Sequence, residues 1–167
     1  MSTTINPSAA PVALQPGEGE ALWFLGALAT VKASSEATAG RVTVTELLAP
    51  HGHGSPLHVR RDHDQSFYVL EGELTFWIDG EVIAAPAGSF VYGPRGIPFT
   101  FTVSSERARF LLAVEPGTFE AFMRALAEPA RELAIPPAAT EPPDFERLAA
   151  LAAQYGIEIL GPPGIPA

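Results

Sequence analysis

Four histidines fall within thirteen residues, at His51, His53, His58 and His63, and Arg60 stands among them. Imidazole can ligate a divalent metal or carry a proton near neutral pH. Arg60 does neither. Its guanidinium keeps its proton at ordinary pH, repels a cation and suits a carboxylate, phenolate or enolate. A guanidinium at hydrogen-bonding range would also favour the neutral, base form of His58. His58 therefore reads as the proton carrier and Arg60 as the holder of an anion, the pair on which catalysis would rest. Gln65 can orient a substrate oxygen, and Phe67, Tyr92, Phe99 and Phe101 offer the apolar floor that small-molecule sites generally have.

Strands must position these groups. Alternation puts His58, Arg60, Gln65, Phe67 and Val69 on one inner face only if a short turn around Arg61 to Asp64 restores the register. His63 then belongs to the turn, near solvent, and His51 and His53 read as solvated residues of a glycine-rich loop at a barrel mouth. Short β-patterned runs flank this stretch, from Leu22–Leu25 and Ala27–Val31 through Arg41–Leu48, Phe67–Leu70 and Leu74–Ile78 to Phe99–Val103 and Ala108–Val114. Glu71-Gly72 and Asp79-Gly80 read as tight turns between neighbouring strands. Such close spacing, with no helix between strands, predicts an antiparallel sandwich or barrel.

After Val114 the period lengthens to that of a helix. Thr118 is the expected N-cap, with Phe119, Phe122, Met123 and Leu126 on one face as core or barrel lid. A Pro/Ala linker follows. Asp144 begins a second short helix with Phe145, Leu148, Leu151 and Ala152 inward, stopped by Gly156. Both helices are expected to pack outside the barrel, and Ile157–Leu160 reads as a further strand. The expected organisation is an N-terminal arm over 1–20, a barrel with its first helix over 21–127, and a linker, short helix and tail over 128–167.

Composition narrows the partners. A net charge of −9 argues against nucleic acid and anionic membrane, which demand Lys and Arg. The chain has no cysteine, which excludes thiol catalysis, disulfides and Cys-ligated metal. No apolar run reaches the roughly 18 residues of a membrane helix, and no signal peptide is readable; a cytoplasmic location is expected. Serine-nucleophile and phosphate-loop signatures are absent.

The spacing of two segments resembles the cupin superfamily. Gly52 is followed by five residues, His58-Val59-Arg60, four residues, Gln65, six residues and Gly72. Gly88 is followed by five residues, Pro94-Arg95-Gly96, two residues, Phe99, three residues and Val103. The resemblance covers roughly residues 21–127 and is strongest to small single-barrel proteins related to quercetin dioxygenases. It implies an all-β jelly-roll barrel, a homodimer paired across exposed sheet edges, and a substrate class of secondary metabolism, aromatic or polyketide-like. A typical member binds Fe, Mn, Ni, Cu or Zn through two His and one Glu of the first segment and one His of the second. Those positions are His58, Arg60, Gln65 and Phe99 here, so the metal site is degenerate and no cofactor is expected.

Three readings follow. The first is a metal-independent isomerase, cyclase or lyase, with His58 moving the proton and Arg60 holding the anion. A non-catalytic small-molecule binder is the second, and a metal-dependent dioxygenase with an unusual set, His58, Gln65 and His63, is the third. Against all three stands an inert barrel in which Arg60 pairs internally with Glu46 or Glu73.

Overall fold

A computed structural model describes residues 9–167; the first eight residues of the expected arm lie outside the described residues. Twelve strands and two helices follow in order: β1 Glu20–Phe24, β2 Ala27–Ala33, β3 Thr43–Pro50, β4 Pro56–Arg60, β5 Asp64–Glu71, β6 Glu73–Ile78, β7 Glu81–Pro86, β8 Phe90–Gly93, β9 Phe99–Val103, β10 Arg107–Glu115, α1 Phe119–Leu126, β11 Glu128–Pro129, α2 Phe145–Gln154 and β12 Ile157–Pro163. They form two antiparallel sheets, ordered β11-β1-β2-β3-β10-β5-β8 and β12-β4-β9-β6-β7, which face each other as the jelly roll that the spacing predicts. Alternation drives this packing. Along β3 and β10 buried residues take every second position, so each strand gives one face to the interior and one to water.

The turn between β6 and β7 shows how sequence sets register. Asp79 and Gly80 both take positive φ, at 48° and 92°, as a two-residue hairpin of the primed type needs. Trp77 then pairs with Val82, and Ile78 with Glu81. An aromatic core fills the space between the sheets: Phe67 lies 4.9 Å from Phe76 and 5.4 Å from Phe101, and Phe101 lies 5.7 Å from Phe110, centroid to centroid.

The C-terminal third is built into the barrel. β12 pairs with β4 as the outer strand of the second sheet, with Ile157 opposite Arg60 and Ile159 opposite His58. Two details of the helices depart from expectation. Thr118 is itself helical, at φ −71° and ψ −22°, and its side chain makes no capping bond, whereas Asp144 accepts a hydrogen bond from the Arg147 backbone N–H. Phe145 is exposed; Leu148 and Leu151 are half-buried, and Ala152 carries the buried side of α2. The helices do more than pack outside, because both send side chains across the barrel mouth.

Candidate functional site

β4 reaches the interior through His58 and Arg60, which are both buried, while Leu57 and Val59 face outward. Arg61 and Asp62 form the bend that follows, and β5 resumes with Gln65, Phe67 and Val69 inward. The register is therefore restored across the turn as alternation requires. Two backbone bonds pin this corner. The Gly96 N–H donates to the Arg60 carbonyl at 2.7 Å, and the Arg61 N–H donates to the Gly156 carbonyl at 3.0 Å.

Between the sheets lies a cavity of about 90 Å³. His58 and Arg60 form its polar side and Phe67, Phe101, Phe110 and Leu112 its floor, while Phe119, Phe122, Leu148 and Ala152 close it from the helices. Gly54 belongs to the same wall. A Cβ there would stand 2.0 Å from the Phe101 carbonyl oxygen, so only glycine lets the loop press so close to β9.

Arg60 dominates the electrostatics. Its guanidinium carbon lies 5.4 Å from the centre of the Phe99 ring and 5.1 Å from that of Phe119. Among the described residues no carboxylate pairs with it: Glu46 bonds Lys32 and Arg109, and Glu73 contacts Ser104. An uncompensated buried charge costs several kcal/mol, and desolvated cation–π contacts return about 2 kcal/mol. The aromatic sandwich alone therefore does not balance the charge. Burial lowers the Arg60 pKa to about 9, so the group is still a cation at neutral pH.

His58 is held as a base. Its Nδ1–H donates to the Pro56 carbonyl at 2.7 Å, which leaves the lone pair on Nε2, and its ring lies tilted against Phe99 with centroids 4.5 Å apart. Burial first, and the Arg60 charge second, depress its pKa to about 3. His63 behaves alike, depressed to about 4 by burial and by Arg60. His53 is half-buried in the cavity wall, and desolvation lowers its pKa to about 4 as well.

The site thus gathers most of the residues read from the sequence and rejects one. His58, Arg60, Phe67 and Phe101 line the cavity; Phe99 lies beneath His58 and Arg60, and Gln65 is buried at the same corner. Tyr92 is excluded. It points outward from β8, 52% exposed, because Val91 and Gly93 take the inward positions. His63, expected near solvent, is 1% exposed, since α1 folds over it and brings Phe119 to 6.3 Å from its ring. His53 leaves the solvated class for the cavity wall, whereas His51 is exposed as expected. The walls supplied by Phe24, Ile157 and Ile159 were not read from the sequence. Their local signal is plain β-strand, and only long-range pairing brings them here.

The residues present do not fit a divalent metal. At the four positions implied by the family, His58 has only Nε2 free, Arg60 is a fixed cation, Gln65 is a weak neutral donor and Phe99 has no lone pair. The alternative set of His58, Gln65 and His63 surrounds the same unpaired guanidinium, whose charge acts on both histidines. Among the described residues no three His, Cys, Asp or Glu side chains assemble as a metal group.

The cupin domain family matches residues 44–114, from β3 through β10. Quercetin 2,3-dioxygenase of Bacillus subtilis is 31% identical over 127 residues, which is 76% of this chain and 38% of that relative's length. Among solved structures, an RmlC-like cupin from Shewanella frigidimarina gives a TM-score of 0.52 at 17% identity, over 61% of this chain and 88% of that one. A predicted oxalate decarboxylase from Thermotoga maritima gives 0.51 at 20% identity, over 54% of this chain and 80% of that one. These two structural likenesses bear on the fold alone.

Proposed function

Because the chain belongs to the cupin superfamily, whose barrels bind small molecules in their interior, we propose that its cavity is a metal-independent site for proton transfer on a small aromatic or polyketide-like substrate. One observation carries the reading: Arg60 is a buried cation without a carboxylate partner, facing an apolar cavity beside a neutral His58. A substrate oxygen would rest on Arg60. His58 Nε2 takes a proton from the carbon next to the carbonyl, the electron pair moves onto the oxygen as an enolate, and Arg60 holds that negative charge. Return of the proton to another carbon completes an isomerisation; loss of a leaving group from the enolate completes an elimination.

The weak basicity of free His58 is partly relieved in the complex. Negative charge on the substrate oxygen offsets the guanidinium and lifts that part of the depression, while the larger part, due to burial, stays. The Bacillus relative is named for quercetin, which supports an aromatic, hydroxylated substrate class; the cavity here has room for a single ring. A second reading, a binder without chemistry, draws on the same imidazole, since a group depressed to about 3 starts as a poor base.

Deuterium uptake from D2O into a panel of aryl ketones, followed by NMR, tests the proposal. Wild type should accelerate exchange, and His58→Ala should slow it by about a hundredfold or more, in the range of general-base loss. Binding by calorimetry with no accelerated exchange would leave the binder. No binding of any ketone or phenol would remove both.

A further inference from the structure

Among the described residues, six buried side-chain nitrogen and oxygen atoms lack a hydrogen-bond partner, and all belong to three residues: Nε and Nη1 of Arg60, both ring nitrogens of His63, and both amide atoms of Gln65. Folded interiors hold few such atoms, so their concentration in one place calls for a common cause. The three side chains share the β4–β5 corner. Gly93 pairs with Gln65 and Gly96 bonds the Arg60 carbonyl, so one short segment spans both. Phe119 lies over the Arg60 guanidinium and faces the His63 ring. Arg60 also lines the aromatic cavity, whereas His63 and Gln65 do not. Arg60 therefore stands between the cavity and the unpartnered polar atoms of this corner.

The corner is rich in donors. Arg60 Nε–H and Nη1–H2, the Gln65 amide NH2 and one His63 N–H stand against two acceptors, Gln65 Oε1 and the second ring nitrogen. Its formal charge is that of one guanidinium. A carboxylate matches both properties, with two oxygens of several lone pairs and a single negative charge. A phosphate dianion would leave an excess negative charge in an apolar interior, and a neutral amide or alcohol would leave the cation uncompensated.

We propose that Arg60, His63 and Gln65 form a carboxylate site at this corner, which takes the head of an aromatic monocarboxylic acid whose ring lies against Phe67 and Phe101. This rests on the reading of Arg60 as the anion holder, and it adds two residues that proton transfer by His58 does not use.

Calorimetric titration with benzoate tests it, with benzamide and phenyl phosphate as controls. Wild type should bind benzoate, and both controls should bind more weakly. His63→Phe and Gln65→Leu should each weaken benzoate by about tenfold, as the loss of one charge-assisted hydrogen bond does. Gln65→Glu places a carboxylate of the protein's own beside Arg60; it should raise the melting temperature and abolish benzoate binding, a combination that misfolding does not produce. Benzoate binding unchanged in His63→Phe and Gln65→Leu would overturn the site and leave the His58–Arg60 reading standing. The site also falls if wild type binds an aryl ketone or phenol but not benzoate; if it binds none of them, both readings fall.

Discussion

On the outer face of the first sheet, Arg109 bonds both Glu46 and Glu71, and Lys32 reaches Glu46 from the neighbouring strand at 3.3 Å. At the β4–β5 corner, inside the same barrel, Arg60 is buried with no carboxylate partner among the described residues. The outer cations reach water, Arg109 more than Lys32, and each has a carboxylate partner. The inner one is buried, with Nε and Nη1 unpartnered. Charge on the surface serves solubility at little cost in stability. Charge kept unpaired in the interior opposes folding, and proteins hold such groups mostly where a ligand completes them.

Acid should expose this contrast most strongly. His58 and His63 have an ordinary pKa of 6.5, lowered in the fold to about 3 and about 4. Above pH 6.5 both are neutral in the folded and unfolded chain, and pH has no leverage through them. Below it the unfolded chain takes up protons that the fold refuses. Stability then falls by up to about 1.4 kcal/mol per pH unit for each histidine, until the folded groups protonate in turn. His53, depressed to about 4 as well, adds an equal share. Urea melts between pH 7 and 4.5 should show this loss, and His63→Phe should cut its slope by about a third. A flat profile would mean that the corner is as well hydrated as the outer face.

Next in size is Arg60→Met. It removes the charge and keeps the stem that packs between Phe99 and Phe119. The variant should be more stable than wild type by roughly 1–3 kcal/mol in thermal melts, and it should bind no anion. Destabilisation instead would show that the two rings alone satisfy the guanidinium and that the corner is structural.

How much of this corner could be read from the chain depends on the range of the interaction that builds it. The spacing of Gly52, His58, Gln65 and Gly72 is local, and it identified both the barrel and the inward face. Tyr92 points outward beside Ser66, because Gly93 faces Gln65 across the β5–β8 pair, a contact between strands well separated in sequence. His63 depends on a still longer range. Its immediate sequence is that of an exposed turn, and it is buried only because Phe119, more than fifty residues on, folds over it. The same holds for the walls from Ile157 and Ile159, which β12 brings against β4. Asp144 caps its helix and Thr118 does not, which the two side chains alone do not distinguish: Thr118 has already adopted helical backbone angles.

The smallest expected effect comes from the outer face. Arg109 is 41% exposed, and its removal leaves Glu46 still paired with Lys32 and Glu71 open to water, so no charge is stranded in an apolar place. Arg109→Ala should therefore change stability by less than about 1 kcal/mol, and the difference should shrink as salt screens the pair. The sign is the informative part. Arg109→Ala should weaken the fold slightly while Arg60→Met strengthens it, because one arginine has its counter-charge inside the protein and the other has to receive it from a ligand. If Arg109→Ala cost several kcal/mol at high salt, the outer network would be more than a solvated face, and being paired or unpaired would no longer separate the two arginines.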